Sequence, residues 1–178
     1  MKPGAGSRKG SSYERKIAKD LSLWWSDGKR NDLFWRTHSS GQLGTRSKKM
    51  TEYGDLMSIH DNGKEFTEKF HIECRHGKCI KIHDLVYAPK ASSSNMTGFI
   101  QEGFTGAKAS LRTPLWIFRE QGQEIMVMMT YTDYCFYIPQ IVAIKNDATV
   151  ALFPLYELVL MTYDNFKKCF KRETLCTK

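Results

Sequence analysis

Two carboxylates, Asp55 and Glu73, are the residues of this chain with the clearest capacity for chemistry. Each lies in a strand-like run, Asp55 in residues 53–59 and Glu73 in residues 70–75. If these strands pair, the two side chains can converge at one edge of a sheet and hold a hard divalent metal such as Mg²⁺. Such a metal polarises a phosphate and lowers the pKa of an attacking water. The pair therefore predicts a metal site suited to phosphodiester hydrolysis, and the alternative is two solvent-facing strand acids.

Two neighbours of Glu73 extend the predicted site. The main-chain carbonyl of Cys74 is a natural further oxygen ligand for the metal. Arg75 follows Glu73 by two residues, so strand alternation places both side chains on one face. A guanidinium can stabilise negative charge there, but it stays protonated and cannot act as a base.

Positive charge is concentrated in the first quarter of the chain. Residues 1–49 hold 12 Lys or Arg and 4 Asp or Glu, whereas residues 50–178 hold 15 of each. The whole formal excess of +8 therefore lies in residues 1–49. A local basic excess favours a nucleic-acid partner, because each neutralised phosphate releases counterions. A solvated tail with a charged helix face is the alternative.

Composition indicates one compact domain. The 178 residues are 41% hydrophobic, which is enough for a core. No apolar run approaches the ~20 residues that span a bilayer, and no signal-peptide core follows Met1, so we expect a cytoplasmic protein without a membrane partner. The 5 cysteines are odd in number and are not spaced as a disulfide framework, which fits a reducing compartment.

The elements that must position the carboxylates follow from periodicity. We expect a flexible basic arm over residues 1–10 and a helix that starts at Ser11 and ends before Gly28. A strand over 33–36 and a basic loop over 37–52 come next. Two strands, over 54–60 and 69–76, are predicted to be joined by a turn at Asp61-Asn62-Gly63.

The second half of the chain is predicted to complete a mixed α/β layer sandwich. A helix over 98–110 precedes a hairpin formed by 115–119 and 124–130, and helical stretches follow from about 154 to 171. The order α-β-β-β-α-β predicts a central mixed sheet flanked by helices. We divide residues 11–178 into a core of about 11–130 and a C-terminal extension of about 131–178.

Four short motifs follow one another in a recognisable order. They are Gly10-Ser11-Ser12-Tyr13-Glu14-Arg15, Arg36-Thr37-His38-Ser39-Ser40-Gly41, Gly54-Asp55 and Ile72-Glu73-Cys74-Arg75. This order resembles the PD-(D/E)XK nuclease superfamily, and within it the archaeal Holliday-junction-resolvase branch and related phage nucleases. The resemblance covers residues 10 to 120 and implies a restriction-endonuclease-like core.

The resemblance implies a role for each matching residue. Glu14, Asp55 and Glu73 would ligate one or two ions of Mg²⁺ or Mn²⁺, and Ser40 would lie near the scissile phosphate. Two local alternatives stay open, because Ser11-x-x-Glu14 is also a capping-box pattern and Ser40-Gly41 is also a turn pattern. Basic residues are candidates for phosphate contacts, with a solvated loop as the alternative, namely Arg36, Arg46, Lys48, Lys49 and Lys78.

Arg75 departs from the family pattern, which has a lysine at this position. Either Lys78 or Lys81 reaches the site, or Arg75 suffices because the metal already lowers the pKa of the water. We therefore expect a metal-dependent DNA endonuclease, acting on double-stranded or branched DNA of the Holliday-junction kind in DNA recombination, as a homodimer. The alternative is a catalytically degenerate nuclease fold that binds DNA or a protein without cleavage.

A cluster of histidines and cysteines suggests a third possibility, a zinc-containing interaction module. Its members are His71, Cys74, His76, Cys79 and His83. Their spacing matches no compact Cys/His hairpin, and strand alternation sends His71 and Cys74 to opposite faces. The sequence therefore favours the carboxylate site over a zinc site.

Overall fold

The computed structural model describes residues 5–37, 54–78, 80–82, 95–138, 151–153, 157–170 and 175, with the backbone alone at 5–11 and 151–153. The elements in these ranges are, in chain order, α1 (Ala5–Trp25), β1 (Phe34–Arg36), β2 (Leu56–Ser58), α2 (Asp61–Lys69), β3 (Phe70–Gly77), α3 (Asn95–Ser110), β4 (Thr113–Glu120), β5 (Ile125–Thr130), α4 (Tyr131–Tyr137), β6 (Ala151–Phe153), β7 (Leu158–Thr162) and α5 (Tyr163–Cys169). The predicted order α-β-β-β-α-β is present, with α2 inserted between its second and third strands.

The strands of the described part form one mixed sheet and one small ribbon. The sheet has 5 strands in the order β3-β4-β5-β7-β6. β3 and β4 are parallel, with Glu73 opposite Trp116, and α3 connects them. The remaining pairs of this sheet are antiparallel. β1 and β2 form the separate antiparallel ribbon.

Helices cover both faces of the sheet, as the burial of alternate side chains of β4 in two different cores shows. Leu115 and Ile117 point into a core shared with α1 and α5, whereas Trp116 and Phe118 point into a second core shared with α3. All four side chains are fully buried. A strand that is buried on both faces requires layers above and below it. The prediction of a restriction-endonuclease-like core, with a central mixed sheet flanked by helices, is therefore confirmed.

Helix α1 begins earlier than predicted. It starts at Ala5 instead of Ser11, so residues 5–10 of the predicted arm are helical and residues 1–4 lie outside the described ranges. Its apolar face buries Tyr13, Ile17 and Leu21, as the helical spacing predicted. Among the helices of the described ranges, none is long and apolar enough to cross a membrane.

The predicted turn between the second and third strands is wrong. Residues 61–69 form α2, and β2 pairs with β1 instead of β3. Gly63 serves close packing and is not one of the glycines with positive φ. A Cβ atom on Gly63 would lie 2.6 Å from Ser58 Oγ and 2.9 Å from Phe34 Cε1. Asp61, Asn62 and Gly63 therefore form the first turn of α2, which packs closely against the β1–β2 ribbon.

The predicted C-terminal helical stretch is only partly helical. Leu158–Thr162 forms the strand β7, and only Tyr163–Cys169 is helical within the described ranges. Residues 158–161 are all buried, and a short continuous apolar run of this kind does not distinguish a buried strand from a helix. Thr162 separates the two elements, because its side chain accepts a hydrogen bond from Asn165 N at the start of α5.

Candidate active site

Asp55 is held against the outer edge of β3, the side away from β4. Its main-chain N–H donates to the Ile72 carbonyl at 2.7 Å, and its Oδ2 accepts from the Cys74 N–H at 2.8 Å. The residue is 7% exposed. These two hydrogen bonds bring Asp55 beside the strand that carries Glu73, although β2 is not a partner of β3. Asp55 is thus attached beside β3 by a different arrangement from the predicted strand pair, and the convergence of its carboxylate with that of Glu73 on a metal stays a prediction.

Gly54 makes this close approach possible. Its φ is +93°, and a Cβ atom would lie 2.9 Å from the Ile72 carbonyl oxygen. Thr37, directly after β1, completes the anchor: its Oγ1 donates to the Gly54 carbonyl at 2.7 Å and its N–H donates to the Asp55 carbonyl at 2.9 Å. Residues 54–55 are therefore hydrogen-bonded both to β3 and to the end of β1. Thr37 was missed as a positioning residue, although it lies in the 36–41 motif directly after Arg36.

Glu73 is oriented by a histidine of the same strand. Its Oε1 lies 2.9 Å from Nε2 of His71, two residues earlier on the same face of β3. The His71 side chain is 2% exposed and that of Glu73 is 16% exposed. Sequence reasoning considered His71 only for zinc, and the i, i+2 spacing to Glu73 was the signal that it missed.

Glu14 forms an ion pair and does not close a capping box. Its Oε2 accepts from Arg36 Nε at 2.9 Å, and both side chains are largely buried. Since α1 begins at Ala5, Ser11 lies inside the helix and the capping-box interpretation is wrong. Arg36 therefore neutralises Glu14, and the binding of a phosphate by Arg36 stays a prediction.

The three predicted carboxylates all act electrostatically on the thiol of Cys74 in β3. Burial, followed by the negative charges of Asp55, Glu73 and Glu14, raises the pKa of the Cys74 thiol well above its ordinary value. The thiol belongs to the core on the α1 face, whereas His71 contacts α3 on the other face. The prediction that His71 and Cys74 lie on opposite faces of β3 is confirmed, and the two cannot share one zinc ion.

Arg75 is drawn towards α3. Its guanidinium pairs with Glu102 and lies over the Phe99 ring, with Cζ 4.7 Å from the ring centroid. Arg75 thus contacts the same helix as His71, which confirms that alternate residues of β3 share this face. Lys78 and Lys81 are exposed.

Several predicted residues lie outside the described ranges. They are the loop residues Ser40, Arg46, Lys48 and Lys49, and the zinc candidates Cys79 and His83. Their proposed contacts stay predictions.

The donor set beside β3 suits a hard divalent cation. Asp55 and Glu73 offer carboxylate oxygens, and Mg²⁺ is typically held by one or two carboxylates together with waters and substrate phosphate. No group of three or more His, Cys, Asp or Glu side chains is gathered closely enough to hold a metal among the residues that the structure describes. Glu14 therefore lies near the pair without forming a three-ligand set with it.

The comparison with known proteins agrees with this geometry. Residues 5–177 match the family described as "Phage putative PDDEXK endonuclease". No curated protein and no solved structure matches the chain. The match covers nearly the entire length, including the helix that carries Glu14, the Gly54-Asp55 segment and the strand that carries Glu73. The chain belongs to this PD-(D/E)XK endonuclease family.

Proposed function

We propose that this protein is a DNA endonuclease that uses Mg²⁺ or Mn²⁺ to hydrolyse phosphodiester bonds. The observation that carries the proposal is the attachment of Asp55 to the edge of β3, which holds its carboxylate beside the strand that carries Glu73. Two carboxylates held in this way would offer a hard cation oxygen ligands, with water and substrate phosphate completing its coordination. Family membership and the basic first quarter of the chain support DNA as the substrate.

Each residue of the site has a defined task in this proposal. Asp55 and Glu73 would hold the cation, with the Cys74 carbonyl as an expected further ligand. When bound, the cation would polarise the phosphate and lower the pKa of the attacking water. The Cys74 N–H keeps Asp55 oriented at 2.8 Å, so that its carboxylate needs no rearrangement.

The cations around the carboxylates would act on the DNA. Arg75 can stabilise negative charge that develops on the phosphate, but it cannot take a proton from water. The predicted phosphate contacts position the backbone without reading its sequence, and they are Arg36, Arg46, Lys48, Lys49 and Lys78. Ser40 is proposed to lie near the scissile phosphate. Glu14 is proposed either to complete the ligand set or to keep Arg36 in place through their 2.9 Å ion pair.

Branched DNA is the proposed substrate, and a homodimer is the proposed assembly. Both rest on the resemblance to Holliday-junction resolvases, since two symmetric cuts require two related sites. A role in DNA recombination would follow from that substrate.

The position of Arg75 favours one second candidate, a degenerate nuclease fold that binds DNA without cutting it. The guanidinium pairs with Glu102 and stacks on Phe99, so both contacts direct it towards α3. A guanidinium held against α3 stabilises the charge on the reacting phosphate less than a lysine ammonium directed into the site would.

The test is incubation with supercoiled plasmid and with a synthetic four-way junction, in Mg²⁺ or Mn²⁺ and in EDTA. We expect cleavage with either metal, none in EDTA, and none by Asp55→Ala or Glu73→Ala. Glu124→Ala, an exposed acid in the β4–β5 turn, is the matched control and should cleave normally. Salt-sensitive binding without cleavage in both metals would favour the second candidate. Analytical ultracentrifugation measures the proposed dimer.

A further inference from the structure

We propose that His71 is a positioning residue that fixes the carboxylate of Glu73 for metal binding. The proposal rests on the proposed function, because it assumes that Glu73 is a metal ligand. His71 itself would touch neither metal nor DNA, since its ring is buried between β3 and α3. Its effect on the reaction would pass through Glu73 alone.

The contact between the two side chains has a defined direction. Nε2 of His71 lies 2.9 Å from Oε1 of Glu73. An ionised carboxylate only accepts hydrogen bonds, so Nε2 carries the proton and donates it. A charge-assisted hydrogen bond of this kind is about twice as strong as one between neutral groups. The hydrogen bond holds one oxygen of Glu73 in place and thereby restricts the orientations that the carboxylate can adopt.

Helix α3 holds the ring from the other side. Ser110 Oγ lies 3.4 Å from His71 Nδ1 and 2.8 Å from the Gly106 carbonyl oxygen, and its single hydroxyl proton can be donated to either acceptor. Gly106 leaves the space for the imidazole, because a Cβ atom there would lie 2.2 Å from Nε2 and 2.4 Å from Cε1. The ring therefore lies in a slot that only a residue without a side chain provides.

These contacts indicate why a histidine stands at a 2% exposed position. A buried imidazole without polar partners is costly, and an apolar residue would fill the same space at a lower free-energy cost. The partners of His71 are instead the proposed metal ligand on one side and a helix hydroxyl on the other. Groups that orient a metal ligand in this way typically change metal affinity by roughly 10–100-fold when they are replaced.

The test compares two amide replacements of His71 that differ in where they can donate. The side-chain nitrogen of His71→Gln reaches the place of Nε2, whereas that of His71→Asn ends near Nδ1. We expect His71→Gln to bind Mn²⁺ nearly as tightly as the wild-type chain and His71→Asn to bind roughly 10–100-fold more weakly, by isothermal titration calorimetry without DNA. Equal Mn²⁺ affinity of wild type and His71→Asn would overturn the proposal, as would equal weakening in both variants.

A measurement on the unsubstituted protein covers the case in which His71→Asn does not fold. With ¹⁵N-labelled histidine, saturating Mg²⁺ should shift the Nε2 resonance of His71, because its hydrogen-bond partner binds the cation. No shift under saturation would contradict the proposal. Glu73→Ala distinguishes a failure of the proposed metal site from a failure of the positioning role. The metal site is refuted if the wild-type protein binds no Mn²⁺, or if Glu73→Ala binds Mn²⁺ as tightly as the wild type. Only the positioning role is refuted if Mn²⁺ binding is tight and depends on Glu73 but does not change when His71 is replaced.

Discussion

Arg75 is the residue on which the proposed turnover depends most, because the family pattern has a lysine at this position. Its guanidinium lies over Phe99 and pairs with Glu102, so it is attached to α3 while its backbone is next to Glu73. An arginine that is stacked and paired in this way is not equivalent to lysine, whose compact charge makes no planar contact. In the proposed reaction its remaining contribution is electrostatic.

We predict that Arg75→Ala lowers kcat by roughly 10²-fold, as expected for the loss of one charge-stabilising group. Arg75→Lys keeps the charge and should cleave within about tenfold of the wild-type rate or faster. Single-turnover cleavage in Mg²⁺ measures both, with Lys108→Ala, an exposed cation of α3, as the control. If both Arg75 variants cleave at the wild-type rate, Arg75 has no role in the reaction.

Gly54 is the residue at which backbone geometry decides whether Asp55 can reach β3. We predict that Gly54→Ala destabilises the fold by roughly 2–3 kcal/mol and weakens Mn²⁺ binding, because the new Cβ would lie 2.9 Å from the Ile72 carbonyl oxygen. Urea unfolding and calorimetry measure the two effects. Gly28→Ala is the matched control: its φ is also positive, +80°, but a Cβ there meets nothing within 4 Å. It should cost only the roughly 1–2 kcal/mol of placing a side chain at positive φ, and it should leave Mn²⁺ binding unchanged.

Helix α3 connects the second core to the candidate site. Its glycines allow large side chains of the sheet to come close: a Cβ on Gly103 would lie 2.1 Å from Trp116 Nε1, and Gly106 faces His71. Trp116 in turn donates to the Phe99 carbonyl at 3.1 Å. The helix is therefore pressed against β3 and β4 along one face, which brings its residues within reach of His71 and Arg75.

We predict that Gly106→Ala destabilises the protein by roughly 1–3 kcal/mol, because the His71 ring must move out of its slot. Mn²⁺ affinity should fall with it. Gly98→Ala lies on the same helix, and its new methyl group would meet nothing within 4 Å, so it should instead stabilise by about 0.5–1 kcal/mol. Thermal unfolding of both variants measures the difference. If Gly106→Ala and Gly98→Ala are equally stable, the space around the His71 ring accommodates a methyl group without loss of stability.

The whole molecule carries its net charge unevenly, with +8 in residues 1–49 and a balanced remainder. Part of this charge lies on α1, where Lys16 and Lys19 are exposed. Exposed cations that neutralise DNA phosphates make the binding constant fall as salt rises. The balanced remainder of the chain contributes no such net attraction.

We predict that Lys16→Gln with Lys19→Gln reduces the steepness of log K against log salt by about 2, one for each lost phosphate contact. Lys64→Gln with Lys108→Gln removes the same net charge outside the first quarter and should leave the slope unchanged. Fluorescence anisotropy with a DNA duplex between low and moderate salt measures the slopes. If the two double variants have equal slopes of log K against log salt, the attraction to DNA depends on net charge and not on the position of the lysines.

The face of β3 on which Glu73 lies was predictable because strand alternation is a local property of the chain. Alternation predicted that Glu73 and Arg75 share a face of β3, and both lie beside residues that contact α3. The strand pairing around Asp55 was not predictable. Asp61-Asn62-Gly63 has turn chemistry, but these residues begin a helix whose Gly63 packs against Phe34 and Ser58, contacts that the local sequence does not reveal.

By itself the sequence determined the α-β-β-β-α-β order, the two acids and the basic first quarter, because residue periodicity and charge need no knowledge of distant contacts. Only the tertiary structure decided that Asp55 reaches β3 through hydrogen bonds to the main chain of Ile72 and Cys74, and that His71 contacts the carboxylate of Glu73. It also decided that Arg36 binds Glu14, 22 residues earlier, where a capping box was the local alternative. The reason is physical: hydrogen bonds and ion pairs between separate elements depend on how those elements pack, and local spacing does not report packing.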